Sequence, residues 1–234
     1  MNGKRWTLTI AVLLLTAGST AVSAESIRGA EAKIRKAWKE QTAIRAKLRL
    51  SAIVQAGPNL LQVTGEGILE FLRDGEQEKW RQTVTVTIPE PVGTESQNEA
   101  VFDGKRLFLA NEMMGQREAR VTPADISQGI APPGGEPLLK VLEERLDLSL
   151  LREDTVDGRA VYVIEGTPRG DGVEFTKGVF YIDQATGLQL RQEIYADQDL
   201  AARVVVVCEA VETGVEIDPE HFTVGAEDAA EETE

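Results

Sequence analysis

The chain has 234 residues, a formal net charge of −14, one histidine and one cysteine. Such a surface argues against binding nucleic acid or anionic lipid headgroups. The single His and single Cys rule out a His-rich metal site and an intramolecular disulfide, and they speak against a Ser-His-Asp or Cys-His centre.

Lys4 and Arg5 precede an apolar run, Leu8 to Leu15, and "GSTAVSA" follows it. With small residues at Val22 and Ala24, this reads as a secretory signal, residues 1–24, cleaved after Ala24. The run is too short for a transmembrane span, which needs roughly 20 apolar residues. No Cys lies at the cleavage site to carry a lipid anchor. The expected location is therefore soluble and periplasmic. Loss of Lys4 and Arg5 takes the net charge from −14 to −16. Residues 25–225 then form one domain. The last nine, "AEDAAEETE", carry five acids and no large apolar group, and read as a disordered tail.

The mature chain opens as a helix. Ser26 can cap it, and Ile27, Ala30, Ile34, Ala37 and Trp38 recur at helical spacing. Near Thr42 the period changes to two. In "AIRAKLRLSAIV" Ile44, Ala46, Leu48, Leu50 and Ala52 share one face. The next strand, Leu60 to Leu72, places Val63, Leu69 and Phe71 on one face together with Gly65 and Gly67, which suggests a strongly curved sheet or space for a guest. Trp80, Val84, Val86 and Ile88 face one way along Glu78–Ile88. "AVFDGKRLFLAN" reads as a hairpin whose Asp103-Gly104 favours a type I′ turn. "QREARV" adds a short strand. Thr122 to Gly135 has no clear period. Leu138, Leu139, Leu142 and Leu146 then define a short helix beginning near Glu136. Five strands follow, about Leu148–Asp154, Arg159–Thr167, Val173–Asp183, Leu188–Tyr195 and Ala202–Glu212, and "DPEHFTV" is expected to close the fold as one more. Cys208 lies in "RVVVVCEAV" and is read as a buried structural thiol.

A meander of about eleven strands must curl, split or be covered. The expected fold is mainly β with α: an unclosed antiparallel β-barrel covered on its concave face by helices. Two short helices are too little to fill that face densely. Apolar alternation by itself does not distinguish a dry core from a cavity.

Three stretches resemble the outer-membrane lipoprotein carrier family, LolA and its relatives. "GEGILEFLRDG" resembles the family's Gly-x-Gly strand that ends in Arg-Pro. "AVFDGKRLFLANEMMGQREARV" is similar to its Asp-Gly-Lys hairpin, and "GVEIDPEHFTV" to its closing segment. Asp74 replaces the family's Pro, "RLFLAN" stands where close relatives have Trp and Tyr, and the closing Pro-Pro-x-Gly is missing. The resemblance implies a non-catalytic monomeric carrier without cofactor or metal. It would bind the acyl chains of lipoproteins, or another lipid, and transfer them towards the outer membrane, from an inner-membrane donor complex to an outer-membrane acceptor. The lipid would lie on the apolar strand faces, at Leu48, Leu50, Val63, Leu69, Phe71, Trp80, Val84, Leu188, Leu190 and Ile194. Arg73 matches the arginine that bonds the family's helical lid and holds the empty form closed. The alternatives are an envelope-stress sensor that binds misplaced lipoproteins, and an enzyme acting on a lipid ester. Acidic residues are plentiful for the latter, but nothing in the sequence pairs two of them.

Overall fold

The computed structural model describes residues 26–56, 59–90, 93–123, 132–170, 175–195 and 204–223. The signal segment and the acidic tail lie outside the described residues. Helix α1, Ile27–Lys39, starts at Ser26, whose hydroxyl accepts from the Gly29 N–H at 3.3 Å. It buries Ala30, Ile34, Ala37 and Trp38 of the predicted stripe and half-buries its first residue, Ile27. Six strands follow: β1 Ala43–Ala56, β2 Asn59–Asp74, β3 Gln77–Ile88, β4 Thr94–Phe102, β5 Arg106–Met113 and β6 Gln116–Pro123. Helix α2, Gly135–Arg145, precedes β7 Leu146–Val156, β8 Arg159–Pro168, β9 Lys177–Asp183, β10 Gln189–Tyr195 and β11 Val204–Thr213.

The strands form one antiparallel sheet in the order β6-β5-β4-β3-β2-β1-β11-β10-β9-β8-β7. The first six strands run outward from β1 to one edge, and the last five return from the other edge to pair β11 with β1. Only the connection that carries α2 joins the two edges, β6 and β7. The sheet is unclosed, and mainly β with two α-helices, as expected. Among the described residues no helix is long and apolar enough to cross a membrane.

Three clusters make the core. One joins Trp38 of α1 to Ile44, Leu48, Leu69, Phe71, Trp80 and Leu188. A second packs Ala30, Ile34, Leu138, Leu139 and Leu142 of the helices on Tyr162, Ile164, Phe180 and Ile182. The third lies on the opposite face, where Ile217 and Phe222 cover Ala43, Val101, Phe108 and Val121.

Two expectations are corrected. "DPEHFTV" does not add a strand: Pro219–Phe222 is a short 3-10 helix, with the Asp218 carboxylate accepting from the Glu220 N–H at 2.9 Å. An Asp cap followed by a Pro that has no N–H to lose favours a helical turn here. The β4–β5 hairpin does not turn at Asp103-Gly104. The Asp103 N–H donates to the Arg106 carbonyl at 3.1 Å, so Gly104 and Lys105 are the central residues. Positive φ falls on Gly104 alone, the type II′ requirement. Asp103 serves instead as a side-chain acceptor for the N–H groups of Lys105 and Arg106, at 2.8 and 2.6 Å.

Candidate functional site

A cavity of about 560 Å³ lies between α2 and the sheet. Leu48 (β1), Leu69 (β2), Phe180 (β9), Ile194 (β10), Val206 and Cys208 (β11) line one side, and Leu138, Val141 and Leu142 of α2 line the other. The register explains the sheet wall. Leu48 pairs with Cys208 and Leu50 with Val206, so alternate residues of β1 and β11 share a face. Gln189 and Gln192 add a polar stripe, with the Gln189 Nε2 donating to the Gln192 Oε1 at 3.1 Å; the Gln189 Oε1 is buried without a hydrogen-bond partner. Exposed Glu144, Arg145 and Arg169 stand at the rim.

Of the ten apolar residues singled out from the sequence, Leu48, Leu69 and Ile194 line this cavity. Val84 borders a second, adjoining one. Phe71, Trp80, Leu188 and Leu190 are buried in the first core cluster, Leu190 at 2 % exposure. Val63 is buried and Leu50 half-buried; neither lines the cavity. The unbroken valine run of β11 hid Val206 and Cys208, because alternation cannot be read where every residue is apolar. The helical spacing of Leu138 and Leu142 carried the only signal for the α2 wall.

Arg73 closes the end of α1. Its strand parity places it on the same face as Leu69 and Phe71. The Arg73 Nε donates to the Gln41 carbonyl and an NH2 nitrogen to the Trp38 carbonyl, both at 3.0 Å. These carbonyls lie at and just beyond the last turn of α1, where intrahelical donors run out and the helix dipole is negative. The same guanidinium pairs with Glu78 at 2.9 Å, and the Trp38 indole N–H donates to that carboxylate at 3.2 Å. Beneath it, Phe71 packs on Trp38 with ring centroids 4.3 Å apart. The second helix leans on the same tryptophan: a Cβ on Gly135, which has φ +62°, would fall 2.1 Å from the Trp38 ring. Between the helices, Arg35 bonds both Glu136 and Glu143.

Burial pushes the Cys208 thiol up to about 12. A thiol so rarely ionised is a slow nucleophile. In the folded protein at pH 8, Cys208 is expected to react with iodoacetamide roughly a hundredfold or more slowly than in urea. Equal rates, read by mass spectrometry, contradict its place in the cavity wall.

Fold and cavity together define an open, helix-covered antiparallel half-barrel. A family model described as "Uncharacterized protein" matches residues 140–233. No curated protein matches the chain. Solved structures to which it is similar include the lipoprotein LppX of Mycobacterium tuberculosis, at 14 % identity over 82 % of this chain and 100 % of that one, with a TM-score of 0.44. Another is a LolA superfamily protein from Nitrosomonas europaea, at 15 % identity over 86 % and 99 % of the chains, with a TM-score of 0.33. A third is the Pseudomonas aeruginosa MucA/MucB complex, at 16 % identity over 84 % of this chain and 60 % of that one, with a TM-score of 0.38.

Proposed function

We propose that this chain is a periplasmic carrier that holds the acyl chain of a lipoprotein, or of another lipid, between α2 and the sheet. Residues 25–225 are its lipid-binding unit, released from the signal segment 1–24 and followed by the acidic tail 226–234. It takes its cargo from a donor at the inner membrane and passes it to an acceptor at the outer membrane. The observation that carries this reading is the cavity of about 560 Å³ with walls mainly of Leu, Val, Ile and Phe side chains. Small-molecule sites range over about 300–1,000 Å³. Each CH₂ withdrawn from water there contributes about 0.8 kcal/mol. Arg73 holds the helices over the empty cavity, and release requires that contact to break, because a guest that binds both states equally shifts neither.

Paired variants test the reading. Val206 is half-buried in the cavity wall, so the carboxylate of Val206→Glu stays hydrated while the cavity is empty. The variant is expected to melt within a few degrees of wild type yet lose binding of a fluorescent fatty acid, since bound lipid would strip that water from an unpaired charge. Leu190→Glu, in the packed cluster, is expected to unfold the domain. Wild-type protein that binds no acyl chain overturns the carrier reading, and so does a folded Val206→Glu with unchanged affinity.

A further inference from the structure

A second cavity, of about 580 Å³, adjoins the first, and Gln82 stands in the wall of both. The sheet changes character between them. Following the register outward from Leu48, the paired positions are Gly67, Val84, Asn98, Asn111 and Glu118. One strand row thus passes from apolar under the helices to amide over β4 and β5. The amides are held in place: the Asn111 Nδ2 donates to the Ser96 Oγ at 2.8 Å and to the Asn98 Oδ1 at 2.7 Å, and Ser96 is buried. Gln82, at the junction, makes no side-chain hydrogen bond among the described residues.

We infer that the cargo is an amphiphile with an uncharged head rich in hydroxyl or amide groups, its tail under α2 and its head on the Gln82, Asn98 and Asn111 floor. The inference rests on the carrier reading and narrows it to a substrate class. A tail entering the first cavity draws its head over the second, where burial costs free energy unless the head's polar atoms are hydrogen-bonded. Carboxamides supply donors and acceptors together without charge, which matches glyceryl, sugar or peptide-amide groups. A bare carboxylate or phosphate would instead stand beside the Glu118 carboxylate, with Arg120 the one cation among the lining residues; Glu99, of the opposite strand parity, is already paired with Arg81 at 2.8 Å.

Displacement of a fluorescent fatty acid by dodecanoate, dodecyl maltoside and monododecanoylglycerol compares heads on one tail. Wild type is expected to bind the two neutral amphiphiles about tenfold or more tightly than dodecanoate, one to two hydrogen bonds' worth of affinity. Asn111→Leu, at an exposed position that tolerates change, and Asn98→Leu/Asn111→Leu are expected to lose about tenfold for the neutral pair and to keep dodecanoate within about twofold. If wild type binds all three alike, or the variants weaken all three alike, the head assignment falls while the carrier reading stands. If none of the three displaces the dye and the dye itself does not bind, both fall.

Discussion

Arg73→Leu is expected to fold, lose stability and open the helical cover. The wild-type guanidinium donates to two carbonyls at the end of α1 and pairs with Glu78. Leucine leaves those carbonyls without a charged donor. Hydrogen bonds to charged groups contribute about 1.5–3 kcal/mol each. For a domain of this size one kcal/mol corresponds to about 2–4 °C, so two such bonds put the drop in melting temperature at about 6 °C or more. Since α1 carries Trp38, over which α2 is seated, binding of a hydrophobic dye should rise and Cys208 should alkylate faster. Arg73→Lys should fall between, because an ammonium cannot span two carbonyls and a carboxylate as a planar fork does. A variant that matches wild type in melting, dye binding and alkylation makes Arg73 a solvated turn residue and removes it from the lid.

The second large effect is expected at Gly67. In most strands Gly→Ala stabilises by restricting the unfolded chain, by about 0.4–1 kcal/mol where the backbone permits it. Here a Cβ would lie 1.9 Å from the Thr83 carbonyl oxygen of β3, and a backbone atom cannot swing aside. Gly67→Ala should therefore cost about 3 kcal/mol or more, as overpacking does when nothing can yield. Gly65 is the internal control. Its nearest neighbours would be at 3.1 Å, and two of the three are valine methyls. Gly65→Ala should cost about 1 kcal/mol or less. Urea melts of the two variants check the ranking. Equal stabilities would mean that β2 and β3 do not approach closely at Gly67. The space beside Gly67, read from the sequence as room for a bend or a guest, is taken by the β3 backbone.

Much of this was legible in the chain. The stripe of α1, its Ser26 cap and the switch to period two near Thr42 are local matters of side-chain spacing and capping. So is the turn at Asp157-Gly158, an Asp-Gly pair that takes positive φ at both residues between paired strand ends, whereas the same backbone at Met114-Gly115 carried no such signal. The II′ turn at Gly104 escaped because Asp103 looked like a turn residue and acts one position earlier, as an acceptor. The closing 3-10 helix escaped because Phe222 and Val224 alternate in the sequence as they would in a strand, and only the sheet's outer face shows where Phe222 is received.

The sequence by itself determined which residues are apolar at which period, and hence a long antiparallel meander with two helices. It also placed Arg73 on the same strand face as Phe71. What that face meets was decided only in three dimensions. Apolar residues alternate identically along a strand whether only packed neighbours surround them, as at Phe71, Trp80 and Leu190, or they also face a cavity, as Leu48, Leu69 and Ile194 do. The difference lies in where α2 is seated, and that depends on contacts between residues a hundred positions apart, such as Gly135 on Trp38 and Arg35 on Glu143. Period and propensity are local quantities, whereas empty space belongs to the surfaces that enclose it and forms only when distant elements dock.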